Sequence, residues 1–401
     1  MLDFDTAQSK LASAGTPISK IESVNLANAS GRIIAQTITA TLDLPPADNS
    51  AMDGYALRAH DFQLGKPLPI QEHVFAGDSA SALEPGKAIR LFTGSIIPEG
   101  ADTVVMQEHA TEKNNQVVFD PAPEKGRHIR YKGEDVRKGS NIILAGTKIG
   151  AGEIALLASQ GIASVEVYKP LKAGVLTNGD ELVNPGQSRA PEQIYNSNAP
   201  MLTSMLSNMG VQVTHTVHAS DTPESIKEAF NTLLNDCDLI ITVGGVSVGD
   251  KDLVKPTIES LGGSLDMWRV SMKPGKPVAM AHINNKPVVC LPGNPVSSFV
   301  VLTVLVSPLI RKIQGRTCTT PTISYGKLNT QRTLGGGRDD FVRVKATYDN
   351  NGNLTLHPHS DQGSAIISSL SWADGVARLP AGGKYSNGDT VAFYDFKHWL
   401  S

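Results

Sequence analysis

The chain has 401 residues, too many for one ordinary hydrophobic core, so two to four domains are expected. Its 40% hydrophobic and 19% charged content is typical of a globular protein, and a formal net charge of -3 excludes a strongly basic surface for nucleic acid or an anionic membrane. The opening residues, MLDFDTAQSK, do not resemble a secretory signal, and three scattered cysteines favour reduced thiols. We therefore expect a cytoplasmic protein.

Four regions with different patterns follow one another along the chain. Residues 1–27 are typical of a short helix and a connector. From Gly31 to about Ile143 the sequence is typical of short strands separated by Gly, Pro and Asp. A helix is predicted over residues 151–160, ending at Gly161. The most apolar stretch, residues 297–310, covers about 14 residues, short of the ~20 that a membrane-spanning helix needs.

Strands and helices alternate from about residue 171. Apolar runs predict strands at 171–177, 211–219 and 238–243. Between them, Asn198 is expected to cap one helix, and Thr222 followed by Pro223 to cap another. This alternation predicts a doubly wound, mostly parallel α/β sheet that binds its ligands at the carboxyl ends of the strands.

The last part of the chain, after about Cys318, returns to an all-β pattern. Asn-Asn-Gly at 350–352 and Asn-Gly at 387–388 are turn signals between short apolar runs. A small barrel or a sandwich of about 80 residues accounts for this pattern.

A glycine-rich segment, GGVSVGDKD at 244–252, follows a predicted strand and opens a helix. Glycines there let backbone N–H groups approach a phosphate at a helix N-terminus, although a tight strand–helix turn also favours glycine. The spacing fits neither a Rossmann fingerprint nor a Walker A loop. Asp252 has two interpretations, a site carboxylate or a helix cap.

Two further loops carry groups that suit an oxyanion. Residues 272–277, MKPGKP, place two ammonium groups three residues apart on a loop stiffened by prolines, which favours either an anion site or a solvated turn. Residues 291–297, LPGNPVS, bring Asn294 and Ser297 to the start of an apolar helix.

Carboxylates are expected at the same sheet edge. Glu181 follows the first strand of the α/β region and Asp252 follows the third. Carboxylates beside a phosphate-binding loop usually hold a hard divalent cation, with Mg²⁺ the default. In the β regions, residues 48–56 (DNSAMDGYA) and 335–341 (GGGRDDF) are polar turns that carry either function or ordinary loop chemistry.

Taken in order, these segments resemble the molybdopterin molybdenumtransferase family, which includes bacterial MoeA and the E domain of gephyrin. Each segment alone is a weak signal, but the ordered set runs over nearly the whole chain. The segments that carry the resemblance are residues 48–56, Thr93-Gly94, Arg130 with 133–135, 178–182, 244–252, 273–277 and 291–297.

The resemblance implies a homodimer of four-domain subunits whose active site is completed by the partner subunit. The implied domains are a discontinuous N-terminal dimerisation domain (1–27 and 143–170), an inserted β-rich domain (28–142), a molybdopterin-binding α/β domain (171–316) and a C-terminal β-barrel (317–401). Such enzymes take molybdopterin-AMP and molybdate, hydrolyse the phosphoanhydride with Mg²⁺ or another divalent cation, and release AMP. Transient contacts with the molybdopterin adenylyltransferase and with apo-molybdoenzymes are also implied.

The site residues are carried over position by position. The implied catalytic residues are Asp53, Asp135, Glu181, Asp221, Asp252, Lys273 and Lys276, of which Glu181 and Asp252 are the expected metal ligands. The implied substrate-binding residues are Thr93, Arg130, Gly244, Gly245, Ser247, Arg269, Pro292, Asn294, Ser297, Arg338 and Ser364.

One departure, one residue with a second interpretation and two alternative functions accompany this prediction. Arg269 stands where many relatives carry lysine, which replaces a point charge by a planar fork suited to clamping phosphate. Asp221 directly precedes the predicted cap at Thr222 and so has a structural interpretation as well. The alternatives are a molybdopterin adenylyltransferase, which normally lacks the two β regions, and a gephyrin-like scaffold.

Overall fold

The computed structural model describes residues 1–120, 122–244 and 253–401, with the backbone alone at residues 267 and 268. The chain forms two compact units. The first unit consists of Met1–Gln36, Ala145–Gly150 and Ser164–Ser401, and the second of Thr37–Leu144 and Ala151–Ala163. The finer division into four domains stays a prediction.

Helix α1 (Phe4–Ser13) opens the first unit. The Asp3 carboxylate caps it by accepting a hydrogen bond from the Thr6 backbone N–H at 2.9 Å, which satisfies one of the unpaired N–H groups of the first turn. Phe4 and Leu11 lie on its buried face. The predicted helix is confirmed, but strand β1 (Ile21–Asn25), which pairs with β12 (Ser164–Tyr168), stands where only a connector was predicted.

The second unit is rich in β-structure, as predicted. Six of its strands form one sheet in the order β7-β4-β6-β5-β9-β8, and α2 ends just before Gly161. Its elements are β2 (Ile38–Thr39), β3 (Asn49–Ser50), β4 (Gly54–Leu57), β5 (Leu68–Val74), β6 (Ala88–Leu91), β7 (Thr103–Met106), β8 (Ala110–Lys113), β9 (Gln116–Phe119), β10 (Ile129–Arg130), β11 (Asn141–Ile143) and α2 (Ala151–Ser159).

The chain then returns to the first unit and builds a doubly wound α/β domain. The sheet order is β16-β13-β17-β21-β20-β18; the first four strands are parallel, and β20 is antiparallel to both of its neighbours. The elements are β12 (Ser164–Tyr168), β13 (Lys172–Asn178), β14 (Leu182–Val183), β15 (Ile194–Tyr195), α3 (Asn198–Asn208), β16 (Gln212–Ala219), α4 (Pro223–Asp236), β17 (Leu239–Val243), α5 (Val254–Ser260), β18 (Ser264–Arg269), β19 (Met272–Lys273), β20 (Pro277–Ile283), β21 (Lys286–Leu291), α6 (Pro295–Val301) and α7 (Ser307–Ile313).

Both faces of this sheet are buried. In β17, Ile241 packs into the core that contains α3, α6 and α7, whereas its neighbour Ile240 packs into the core that contains α4 and α5. Alternate side chains of a strand point to opposite faces, so a strand covered on both faces is apolar throughout. The predicted mostly parallel, doubly wound architecture is confirmed.

The apolar stretch near residue 300 is longer than predicted. Helix α6, a π-helical segment (Leu302–Val306) and α7 form one continuous helix, Pro295–Ile313, of 19 residues. By length and composition it is able to cross a membrane, but 89% of its most apolar window is buried inside the protein. A buried core helix of a soluble protein has these same properties.

The C-terminal region is a closed barrel rather than a sandwich. The pairings run β23-β24-β22-β26-β25 and close from β25 back to β23, while β19 of the α/β domain adds to β23 in parallel. The elements are β22 (Ser324–Leu328), β23 (Asp339–Tyr348), β24 (Leu354–Pro358), α8 (Ser368–Trp372), β25 (Gly375–Leu379), β26 (Thr390–Asp395) and α9 (Phe396–Trp399).

One predicted cap is confirmed and one is wrong. Thr222 caps α4 by accepting a hydrogen bond from Ser225 N at 3.3 Å, with Pro223 in the first turn. Asn198 does not cap α3, because it is the first helical residue and its side-chain amide donates to the Gly293 carbonyl at 2.7 Å. That long-range bond lies outside what local sequence pattern predicts.

Candidate active site

Three parallel strands end at one edge of the α/β sheet, where the ligand site is expected. Gly244 follows β17 and donates its N–H to the carbonyl of Leu291 at 3.2 Å, at the end of β21. A Cβ on Gly244 would lie 3.2 Å from Oδ1 of Asn178, the last residue of β13. Gly244 therefore marks the point where the three strand ends converge.

A cleft of about 590 Å³ opens beside Gly244, and we call it the lysine cleft. It lies between the α/β domain and the C-terminal barrel, both of which belong to the first unit. Eight of the residues predicted from sequence line it, namely Gly244, Lys273, Lys276, Pro292, Asn294, Ser297, Arg338 and Ser364, together with Pro274, Gly275, Pro277, Gly293, Gln362 and Gly363.

The lysine loop, residues 273–277, is fixed at both ends. Its start is β19, which pairs with β23 of the barrel, and the Lys276 carbonyl accepts a hydrogen bond from Val270 N at 3.0 Å. Gly275 has a φ of 102°, and a Cβ there would lie 2.3 Å from Cγ2 of Val301 on α6. Only glycine allows the loop to approach this helix so closely.

Three cationic side chains, Lys273, Lys276 and Arg338, line the lysine cleft. The Lys273 ammonium forms an ion pair with Oδ2 of Asp340 at 3.3 Å, and Arg338 donates from Nη1 to the Met272 carbonyl at 3.2 Å. Asp340 and Arg338 come from the barrel and Lys273 from the α/β domain. These contacts fix the cationic groups of the two domains around one volume, an arrangement suited to a dianionic oxyanion.

The opposite wall begins where β21 meets α6. Ser297 is buried, and Asn294 precedes α6 without bonding its own helix through its side chain. The Asn294 amide instead donates from Nδ2 to Oγ of Ser364 at 3.4 Å, which joins this wall to the barrel. Hydroxyl and amide groups therefore complete a cleft whose charge comes from the lysine loop and Arg338.

Hydrogen bonds join the segment after β13 to Asp221, which follows β16. Asp221 accepts from Asn178 Nδ2 at 3.0 Å, and its backbone N–H donates to Oδ1 of Asp180 at 3.1 Å. These bonds tie the segment before α4 to the end of β13, and the catalytic role implied for Asp221 stays a prediction. The Glu181 carboxylate folds back over Gly179, where a Cβ would lie 2.5 Å from Oε2.

The chemistry of these donors suits a hard cation, but no complete ligand set is present in the described part of the chain. There, no three His, Cys, Asp or Glu side chains are grouped to hold a metal ion. Among the described residues, the buried Oδ1 of Asn178 has no hydrogen-bond partner, so it is an amide oxygen beside Gly244 that a ligand could use. Glu181 is described, whereas Asp252, the other predicted metal ligand, lies outside the described residues, as do Gly245 and Ser247.

The second unit brings together another predicted pair. Oδ1 of Asp53 accepts hydrogen bonds from Thr93, at 2.7 Å from the backbone N–H and 2.8 Å from the hydroxyl. These bonds, with a smaller contribution from the Arg90 charge, hold the pKa of Asp53 below its ordinary value. In the same unit, Arg130 pairs with Asn49 across β10 and β3, and Asp135 lies in an exposed turn.

Some residues lie apart from these groups, and some contacts had not been predicted. Arg269 lies on β18, paired with Pro277, and is not among the described residues that line the lysine cleft. Asp340 lies in the polar segment 335–341, but neither it nor Gln362 had been predicted as a site residue. Pattern alone did not single them out, because their partners lie far away in the sequence.

Comparison with known proteins accounts for this architecture. Three protein-family models match the chain in order: the MoeA N-terminal region (domain I and II) over residues 2–161, a probable molybdopterin binding domain over 174–312, and the MoeA C-terminal region (domain IV) over 325–396. The last two cover the domains that form the lysine cleft.

Relatives match over the full length. The molybdopterin molybdenumtransferase of Haemophilus influenzae is 36% identical, with 100% of both chains covered. That of a Nostoc species is 34% identical over 92% of this chain and 82% of its own. The crystal structure of a molybdopterin biosynthesis MoeA protein from Pyrococcus horikoshii superposes with a TM-score of 0.84 at 28% identity, covering 98% of this chain and 99% of that one. The chain therefore belongs to the MoeA family of molybdopterin molybdenumtransferases.

Proposed function

We propose that this protein inserts molybdate into adenylylated molybdopterin, with hydrolysis of the phosphoanhydride and release of AMP. The lysine cleft is the observation that carries the proposal, because it surrounds one volume with Lys273, Lys276 and Arg338. Molybdate is a dianion and the pterin carries phosphate, so a site for both requires fixed cationic donors. The family membership and the names of the full-length relatives support the same substrates.

In the lysine cleft, charged side chains and hydrogen-bond donors have separate roles in binding the oxyanion. The two lysines and Arg338 offset the negative charge of the oxyanion, while the hydroxyls of Ser297 and Ser364 bond to its oxygens. Asp340 holds the Lys273 ammonium in place through its ion pair, so less entropy is lost when the anion binds.

The role of a divalent cation, Mg²⁺ by default, is part of the proposal. Glu181 and Asp252 would hold it, with the unpaired Asn178 oxygen as a further neutral donor. When bound, such a cation neutralises charge on the phosphoanhydride. Asp221 is already engaged in hydrogen bonds with Asn178 and Asp180, so we assign it to positioning rather than to metal binding.

Asp53 is best suited to acting as an ionised carboxylate. Its pKa is lowered by the hydrogen bonds from Thr93, which makes it a weak base at neutral pH. A charged acceptor that orients a substrate group or a cation fits this state better than a proton-abstracting base.

We further propose that the enzyme is a homodimer in which Asp53, Thr93, Arg130 and Asp135 act with the lysine cleft of the partner subunit. The family resemblance, which implies an active site completed by the partner subunit, supports this assignment. We also place the protein in the cytoplasm, in transient contact with the adenylyltransferase that supplies its substrate and with the apo-enzymes that receive its product. Cys237 and Cys290 are buried, which is typical of reduced thiols and supports a reducing compartment.

AMP release tests the activity. Purified protein is mixed with molybdopterin-AMP, molybdate and Mg²⁺, and AMP is followed with and without molybdate. We expect molybdate-dependent release that Lys273→Ala reduces by at least about 100-fold, as for loss of a transition-state charge. Consumption of ATP with free molybdopterin, and indifference to molybdate, would instead identify an adenylyltransferase. Wild-type rates in both Lys273→Ala and Asp53→Ala would refute the site assignment, whereas a wild-type protein without any AMP release would favour a scaffold.

Subunit mixing tests the shared site. Asp53→Ala and Lys273→Ala homodimers are each expected to be inactive, and each mixed dimer has one intact site if the two residues act across subunits. Random reassortment then restores about a quarter of wild-type activity, because half of the dimers are mixed and each has one of two sites. Recovery absent from verified mixed dimers would place both residues in the site of one subunit.

A further inference from the structure

The barrel contributes one wall of the lysine cleft through a segment without regular structure. This segment, residues 360–364, lies between β24 and α8, and we call it the serine loop. Gln362, Gly363 and Ser364 of the loop line the lysine cleft. Since loops of this kind are normally mobile, the contacts that fix its shape bear directly on the site.

A buried arginine lies behind the serine loop. Arg343 on β23 is 0% exposed, and its guanidinium donates from Nη2 to the carbonyls of Asp361, at 3.3 Å, and Gly363, at 3.0 Å. Its Nε donates to Oγ of Ser369 on α8 at 3.0 Å. One side chain in the barrel therefore bonds two carbonyls of the loop and the helix that follows it.

Gln362 bonds the same strand from the loop side. Its Oε1 accepts from the Arg343 backbone N–H at 2.9 Å, and its Nε2 donates to the Arg343 carbonyl at 3.0 Å and the His359 carbonyl at 3.1 Å. The side-chain amide thus imitates a neighbouring strand. Gln362 presents its side chain to β23, and the loop offers the Ser364 hydroxyl to Asn294 across the lysine cleft.

Stability alone is a poor reason for this arrangement. Burial lowers the pKa of Arg343, which reflects the cost of enclosing a charge, although Asp340 and Asp361 act in the opposite direction. A well-packed apolar residue usually stabilises a core at least as well as a buried charge does. The guanidinium, however, has several donors in one rigid plane, so it fixes the directions of two loop carbonyls simultaneously.

We propose that Arg343 and Gln362 are positioning residues for the oxyanion site: together they hold the serine loop so that Ser364 and the Gly363 backbone face the lysine cleft. This inference rests on the proposed function, in which molybdate occupies that cleft. Neither side chain needs to touch the substrate. Loosening the loop weakens oxyanion binding while the barrel stays folded.

Gln362→Glu keeps the size of the side chain and its accepting oxygen while removing the two donated hydrogen bonds. Because it also adds a negative charge beside the oxyanion site, amide exchange of the loop and the charge-conserving Arg343→Lys separate loosening of the loop from electrostatic repulsion. Arg343→Lys keeps the charge but replaces the planar fork by one ammonium. Lys345→Ala is the matched control, since Lys345 is on the same strand and its bonds go to Asp374 and Trp372, away from the loop.

The full-length enzyme is used for three measurements: the KM for molybdate against kcat, the Kd for molybdate alone by calorimetry, and amide exchange of a peptide spanning residues 359–366. For Gln362→Glu we expect KM and Kd to rise about tenfold, the equivalent of roughly one lost hydrogen bond. Amide exchange in the peptide should become faster, while kcat stays within about twofold and Tm matches that of Lys345→Ala. Arg343→Lys should change the same quantities in the same direction.

Different outcomes separate the two proposals. A wild-type protein without molybdate-dependent AMP release overturns the proposed function. An active wild type, with a Gln362→Glu variant whose KM, Kd and exchange match Lys345→Ala, overturns the positioning role. A Gln362→Glu variant that loses kcat and Tm together, with KM unchanged, also overturns it, because a general structural defect then explains the loss.

Discussion

The close packing of the lysine loop against α6 makes Gly275→Ala an informative perturbation. A φ of 102° costs an alanine about 1–2 kcal/mol relative to glycine. The added Cβ would lie 2.3 Å from Cγ2 of the fully buried Val301, and such overpacking typically costs about 1–3 kcal/mol. We therefore expect the free energy of unfolding of the first unit to fall by about 2–5 kcal/mol, with weaker binding of molybdate because the two lysines move with the loop.

Urea denaturation and molybdate calorimetry measure the two effects. Gly293→Ala is the matched stability control, because a Cβ at Gly293 meets nothing within 4 Å and its φ is not positive. Adding Val301→Ala removes the contact but not the backbone cost, so the double variant should be about 1–3 kcal/mol more stable than the sum of the single variants. Equal stability of Gly275→Ala and Gly293→Ala, or strictly additive single and double variants, would refute the packing argument.

Three further predictions address other parts of the molecule. Thr93→Val removes one of the hydrogen bonds that lower the pKa of Asp53, so a carboxyl NMR titration should give a pKa closer to the ordinary 3.8. A carboxylate with a lowered pKa stabilises the fold above its ordinary pKa, and this stabilisation is lost as the pH falls through the pKa of the folded state. The variant should therefore lose less stability on acidification than the wild type. Arg378 forms ion pairs with the buried Asp339 and with the exposed Asp5. Asp339→Ala should lower the free energy of unfolding, measured from the urea midpoint, by about 3–5 kcal/mol, because it leaves Arg378 without its buried partner. Asp5→Ala should lower it by less than about 1 kcal/mol. Native protein treated with maleimide should react at the exposed Cys318 and not at Cys237, whose thiol pKa is raised by burial; equal labelling of both in mass spectra would contradict the packing of the α/β core.

The elements that sequence predicted well are those whose cause is local. Thr222-Pro223 begins α4 because a capping hydroxyl and a fixed proline φ act within four residues. The apolar run of β17 predicts a strand covered on both faces. The alternation of strands and helices predicts the parallel sheet and the edge at which it binds ligands. The same reasoning erred at Asn198, since its amide bonds Gly293, 95 residues away.

The site was predictable as a set of polar segments, but not as contacts. The family resemblance selected both Asp53 and Thr93 without indicating that one carboxylate oxygen accepts two hydrogen bonds from that threonine. It selected Lys273 without its partner Asp340, which is 67 residues away, because only the parallel pairing of β19 with β23 brings them together. Arg343 was missed entirely, since an arginine inside an apolar strand gives no sign of which loop it bonds.

These long-range contacts explain why the C-terminal barrel belongs to the active site and is not an appendage. The α/β domain supplies the lysine loop and the start of α6, which together form one side of the lysine cleft. Arg338, Asp340 and Ser364 come from the barrel, and β19 is the strand that fastens the barrel to the lysine loop. An α/β domain alone would keep the two lysines. It would lose Arg338, Asp340, which pairs with Lys273, and the hydroxyl of Ser364. We therefore expect oxyanion binding in this cleft to require both domains, which is the physical reason to favour molybdate insertion over an adenylylation reaction that needs the α/β domain only.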